Sequence, residues 1–298
     1  MTRRIASSRG SASPARGITF SLLGGVLLTA NDAVLKWLTG EYPVGQLLFF
    51  RGLFVLMAIS VIVWRSGGFE VIRFNSLWGQ AQRAGFAFTS GFLFITGISF
   101  LPLADAIAIT FAGPLFITAL AGPMLGEAVG WRRWAAVFIG FIGVLVMVRP
   151  STEALQLAAL LPLGASLAGA LRDITTRRIS AHETSMSILL FSTVAVIVFG
   201  LGTLPFGWSP VTLPDLSLMA LSGLFVGGAH YFLIERFRWA EAALLAPFKY
   251  ANMIWAVIFG FVIFGDLPDS WTLSGAAFVV VCGLYIAHRE SLAAKGRG

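Results

Sequence analysis

Charge is what this 298-residue sequence has least of: Asp, Glu, Lys and Arg together make up 12% of it. A soluble domain carries roughly 25%. With 57% of its residues apolar and a mean hydropathy of +0.84, a water-soluble globule would expose large apolar patches and aggregate. Cytosolic cofactor enzymes, nucleic-acid binders and secreted disulfide scaffolds are excluded on that ground. Cysteine is nearly absent too. Cys282 stands alone and closes no intrachain disulfide, so no redox compartment follows from it. Patterns that carry chemistry are missing: there is no HExxH, CxxC, Walker loop or GxSxG, and Ser166 of Gly164-Ala-Ser166 is followed by Leu167. These absences argue against an enzyme, and no cofactor or metal is called for. Without a nucleotide-binding loop, any transport is driven by a gradient rather than by hydrolysis in this chain.

What is present is a series of long apolar runs. A bilayer core of about 30 Å needs roughly 20 apolar residues per helix. Ten segments qualify, at 17–37, 44–64, 80–99, 103–125, 131–149, 155–172, 185–204, 213–234, 241–264 and 271–288. The expected fold is therefore all-α and integral to the membrane. Residues 1–16 carry Arg3, Arg4, Arg9 and Arg16 ahead of the first run with no small-residue cleavage site, which predicts a retained basic tail.

Basic residues collect on cytoplasmic loops. With the N-terminus inside, 17 of the 21 Lys and Arg residues fall on cytoplasmic segments. Lys36 and Arg149 fall outside, and Arg51 and Lys249 fall within spans. Both termini are expected in the cytoplasm, in the cell (inner) membrane. The pI near 10.3 then reports topology and contact with the lipid bilayer rather than nucleic acid.

The two halves repeat. Gly126-Glu127 recurs as Gly265-Asp266, 139 residues later, and Trp131 to Gly143 matches Trp271 to Gly283. Asp32-Ala-Val-Leu-Lys36 returns as Asp173-Ile-Thr-Thr-Arg177, 141 residues on. Five spans per half is an odd number, so the second half enters the membrane upside down. Inverted repeats of this kind are a plan of secondary transporters, with the solute near the midplane between them. The expected organisation is a tail at 1–16, one five-helix repeat at 17–150, its inverted partner at 151–290 and a tail at 291–298.

The run Leu101-Pro-Leu-Ala-Asp-Ala-Ile-Ala-Ile-Thr-Phe-Ala-Gly-Pro-Leu-Phe116 resembles the fourth span of EamA-type drug/metabolite transporters. Gly126-Glu127, Arg133-Trp134, Gly140 to Pro150, Ala246-Pro-Phe-Lys-Tyr250 and Phe264-Gly-Asp-Leu-Pro268 continue the pattern across nearly the whole chain. Asp266 departs from it, since the family more often has Glu there. The resemblance implies ten helices around a central cavity and export or exchange of small metabolites. The aromatic and neutral amino-acid exporter branch is the best fit.

Ionisable groups inside spans cost about 2.5–3.5 kcal/mol even on the lenient insertion scale, so each needs a reason. Lys249 lies deep in span nine. It either snorkels back to the interface or meets a substrate carboxylate in a cavity. Asn252 and Ala256 share its helical face, with Tyr250 and Trp255 nearby. Shifted by 139, Lys249 and Tyr250 correspond to Thr110 and Phe111, which places a polar and an aromatic residue at both positions beside the pseudo-twofold axis. Asp32 and Lys36, spaced i,i+4, predict a local ion pair at the outer end of span one. Asn31 is a candidate cavity amide, and His230 with Tyr231 in span eight are further candidates, His230 more as a polar group near the helix end. Glu127, Arg132 and Arg133 predict a turn ion cluster, structural or gating, with Asp266 as the repeat counterpart of Glu127. Asp32, Asp105, Asp173, Asp215 and Asp266 all fall near span ends, which favours facilitated diffusion or exchange over proton coupling.

The expected cargo is therefore an amino acid, aromatic or neutral, moved by alternating access with no obligate protein partner. The alternatives are the same fold carrying drugs or nucleotide-type metabolites, or a membrane-embedded enzyme.

Overall fold

The computed structural model describes residues 14–65, 75–126, 130–149, 157–179, 182–236, 239 and 245–295. Its helices are α1 (Pro14–Leu38), α2 (Val44–Arg65), α3 (Leu77–Phe100), α4 (Leu103–Thr110), α5 (Gly113–Leu125) and α6 (Trp131–Val148). The second half holds α7 (Leu160–Ile179), α8 (Ser185–Leu201), α9 (Leu213–Glu235), α10 (Asn252–Phe259) and α11 (Ser270–Lys295). No strand occurs among the described residues. Seven helical stretches are long and apolar enough to cross a membrane, and Val44–Ser60 and Phe248–Phe264 are shorter apolar ones. With the more polar α7 these make ten crossings, one for each apolar run of the sequence.

Two crossings are interrupted. α4 stops at Thr110 and α5 restarts at Gly113, with Pro114 in its first turn. The ninth crossing begins as a 3₁₀ segment, Ala246–Ala251, continues as α10 and ends in a π turn, Gly260–Phe264. Both crossings close on a glycine in the left-handed region, Gly126 at φ 70° and Gly265 at φ 74°, where a side chain would be strained.

The sixth crossing differs from expectation. Its helix runs to Ile179 rather than stopping at 172. The polar extension is held because Thr175 and Thr176 donate to the Leu171 and Arg172 carbonyls at 2.8 and 2.7 Å. Arg83 Nε donates to Thr176 Oγ1 at 2.8 Å, and Arg178 donates to the Met124 carbonyl. Hydropathy marks where lipid is met. It does not mark where a helix ends inside protein.

Packing respects an exchange of halves. α3 lies along α7 as α9 lies along α1, while α2 with α8 and α6 with α11 pair with their own counterparts. The α6–α11 contact is close because small residues face each other: a Cβ on Gly143 would lie 2.9 Å from the Gly275 carbonyl oxygen. The loops behave alike. Glu183, between α7 and α8, accepts from the backbone N–H groups of Asn75 and Ser76 at 2.7 and 2.6 Å, at the start of α3. Tyr42, between α1 and α2, donates to Asp215 at 2.7 Å, at the start of α9. Each loop thus holds the helix N-terminus beside it, at opposite ends of the bundle.

Candidate functional site

A cavity of about 180 Å³ opens between α3, the α4–α5 break, α7 and the 3₁₀ segment. Lys249 enters it from the 3₁₀ segment and Thr110 from the end of α4, so the two repeat-equivalent residues face one space. Lys249 has no hydrogen-bond partner among the described residues. Beside it, Tyr250 and Phe111 meet edge to face, with ring centroids 5.1 Å apart and planes at 85°. The Tyr250 hydroxyl rests against Gly283, where any Cβ would collide with it. The interruption of both crossings sets this geometry. It brings backbone and short side chains to the middle of the bundle, the arrangement by which transporters form midplane sites.

The opposite wall is α7. Its slip toward the C-terminus places Arg172 and Asp173 inside the helix and on the cavity, where the sequence alone put them at a span end. Arg172 Nη2 and Asp173 Oδ1 are 2.8 Å apart, which leaves the second carboxylate oxygen available. Three hydroxyls complete the lining. Ser90 donates to the Ala165 carbonyl at 2.8 Å, Ser166 to the Thr110 carbonyl at 3.2 Å and Thr110 to the Ile107 carbonyl at 2.7 Å. Each hydroxyl proton is used, so each oxygen keeps lone pairs for an incoming donor. Phe94 and Ile117 supply an apolar side. The cavity therefore offers an ammonium without a hydrogen-bond partner, a half-used carboxylate that interacts with it electrostatically and several acceptors: complements for a carboxylate and an amine on one small molecule.

Arg172, Asp173, Ser90 and Ser166 went unrecognised in the sequence. A signal existed, because Asp173 was already matched to Asp32 in the repeat.

The remaining candidates are placed elsewhere. Asn31 is buried between α1 and α9, accepting from Ser222 Oγ at 2.6 Å and donating to Asp32 at 2.9 Å. It is engaged rather than open to the cavity. No Asp32–Lys36 pair forms. Lys36 Nζ instead donates to the Ile98 and Leu101 carbonyls at 3.2 and 2.5 Å and lies 3.8 Å from Asp266. A cation there answers the unsatisfied carbonyls at the C-terminus of α3. Arg51 interacts electrostatically with Asp32. Asn252 packs against Gly25, where a Cβ would collide with its amide oxygen, and Trp255 lies beside the same glycine. Its indole nitrogen is buried with no hydrogen-bond partner. His230 and Tyr231 line a separate apolar groove, where the His230 Nδ1 lies 2.8 Å from the Val226 carbonyl. Arg132 sits over the Trp131 ring at 5.5 Å, and Arg133 is half-buried. Glu127, expected in a cluster with them, lies outside the described residues.

Comparisons with known proteins agree with this architecture. Residues 15–149 match the EamA-like transporter family. An S-adenosylmethionine uptake transporter of Rickettsia felis is 27% identical over 93% of this chain and 94% of its own. A riboflavin transporter of Rhizobium johnstonii is 28% identical over 92% and 91%. The pseudopaline exporter CntI of Pseudomonas aeruginosa is 22% identical over 92% and 96%. A crystal structure of a protein 19% identical shares the fold at a TM-score of 0.63, over 93% of this chain and 97% of that one.

Proposed function

We propose that this chain is a membrane transporter of the EamA-like type, which its first half matches, and that it carries small metabolites with an amino-acid head by alternating access. The observation that carries this reading is the convergence of Lys249, Asp173 and the Ser90, Thr110 and Ser166 hydroxyls on one cavity. The substrate carboxylate meets the Lys249 ammonium in a charge-assisted contact. The substrate amine is received by the free oxygen of Asp173 and the hydroxyls, and its side chain lies toward Phe94 and Ile117. Among relatives named for uptake and for export, S-adenosylmethionine itself carries an amino-acid head, which supports the class without fixing the cargo. The charge distribution supports cytoplasmic termini in the inner membrane. The exchange-symmetric packing supports two inverted units at 17–150 and 151–290.

Counterflow of labelled amino acids in proteoliposomes tests the proposal, with Lys249→Met as the decisive variant. Hydrogen bonds to charged groups are worth about 1.5–3 kcal/mol, so the apparent affinity for amino acids should weaken roughly 10- to 150-fold. Carboxylate-free amines should be affected far less. Equal loss for both solutes would make Lys249 structural, and no loss for either would remove it from the pathway.

A further inference from the structure

Apart from the charged cavity, and larger than it, is an apolar groove of about 660 Å³ between α2, α8 and α9. Its walls are Val55, Ala58 and Ile59 of α2, Met186 and Leu189 of α8, and the α9 stretch from Leu224 to Glu235. The groove has an identifiable origin. α2 and α9 touch tightly at Gly223, where a Cβ would lie 2.6 Å from Phe54 Cβ and 3.2 Å from the Arg51 carbonyl oxygen. One turn later they part: a Cβ on Gly227 would find only Ala58, at 3.9 Å. Val55 and Ile59 accordingly form a small apolar cluster with Met186, Leu189, Leu190 and Val226, apart from the main core.

We propose that this groove holds one acyl chain of a phospholipid from the leaflet on the termini side of the membrane. An amino-acid head gains nothing from walls of Val, Ile, Leu and Met, whereas a hydrocarbon chain gains by every contact with them. The dimensions agree. Leu224 to Glu235 spans about 17 Å at 1.5 Å per residue, and one leaflet is about half of a 30 Å hydrocarbon core. The polarity agrees as well. The groove is apolar at its Leu224 end, and its polar residues, His230, Tyr231 and Glu235, fall at the end nearest the headgroups. The equivalent region at the other end of the bundle, between α8, α2 and α3, carries aromatic rings instead of small residues. There Phe199 stacks on Phe88 with centroids 5.1 Å apart, and Phe88 on Phe92 at 5.7 Å. Aromatic side chains stand in one half where the other presents Gly227 and Ala58 to the groove.

Gly227→Phe places a ring in the groove from inside, and Ala58→Leu narrows it from the facing helix should the first variant fail to fold. Protein exchanged into detergent and analysed by native mass spectrometry should retain a phospholipid in the wild type and lose it in either variant. A phospholipid with a photoreactive acyl chain should label peptides containing Met186, Leu189 or Tyr231, and Gly227→Phe should abolish that labelling. Identical lipid retention in wild type and variants overturns the proposal, as does labelling spread evenly over the lipid-facing helices. A variant that blocks amino-acid counterflow while leaving bound lipid unchanged also overturns it, and would make the groove a solute route.

Discussion

Two corners of the molecule are built from exchanged helices and come out unlike. In one, Gly113 of α5 faces Ser166 of α7. A Cβ on Gly113 would sit 3.5 Å from Ser166 Oγ, and the charged cavity opens there. In the other, the repeat-equivalent positions are Asn252 and Gly25. The asparagine amide lies against the glycine, with the Trp255 indole beside it. Arg172-Asp173 borders the open corner, and Asn31-Asp32, tied to Ser222, borders the filled one. Symmetry supplies two equivalent corners. Which of them is vacant is decided by the side of the contact on which the glycine stands.

The comparison breaks first at Gly113. Gly113→Asn copies the filled corner into the open one, and overpacking at about 1–3 kcal/mol should lower the apparent affinity for amino acids roughly 5- to 150-fold. Normal counterflow by that variant would mean the solute sits elsewhere. A smaller effect is expected at the second corner. Asn31→Ala strands Ser222 and Asp32, and should lower unfolding stability by about 1–3 kcal/mol while sparing transport per folded molecule, read by thermal unfolding in detergent beside liposome assays. Lost transport at unchanged stability would make the filled corner a working station too. The smallest change is expected from Asn252→Gly. It empties the second corner for about 0.3 kcal/mol of helix propensity and leaves counterflow intact. Altered solute preference in this variant would show that the two corners communicate.

Much of this was legible in the amino acids. The ten apolar runs correspond to ten crossings, and the 139-residue offset paired Lys249 with Thr110, which line one cavity, and Tyr250 with Phe111, whose rings touch. The failures share a cause. The spacing of Asp32 and Lys36 describes one helix surface, but Lys36 is claimed by carbonyls at Ile98 and Leu101, more than 60 residues away. Apolar runs report exposure to lipid, so the extension of α7 past Arg172, held by threonine hydroxyls and arginines from inside, left no trace in hydropathy. Asn31, Asn252 and Tyr231 are polar or amphipathic residues in spans, yet each meets a different neighbour. Only packing separates a satisfied amide from an open one.

The ninth crossing has a mechanical consequence. Its first six residues, Ala246–Ala251, are wound as 3₁₀ helix and carry Lys249. A 3₁₀ helix advances about 2.0 Å and turns about 120° per residue, against about 1.5 Å and 100° in an α-helix. Rewinding those six residues would draw the two ends of the segment about 3 Å together and turn one against the other by about 120°. The crossing is thus threaded like a short screw whose pitch is set just where the ammonium is mounted. Such rewinding would swing that charge through about a sixth of a revolution while α10 stayed helical.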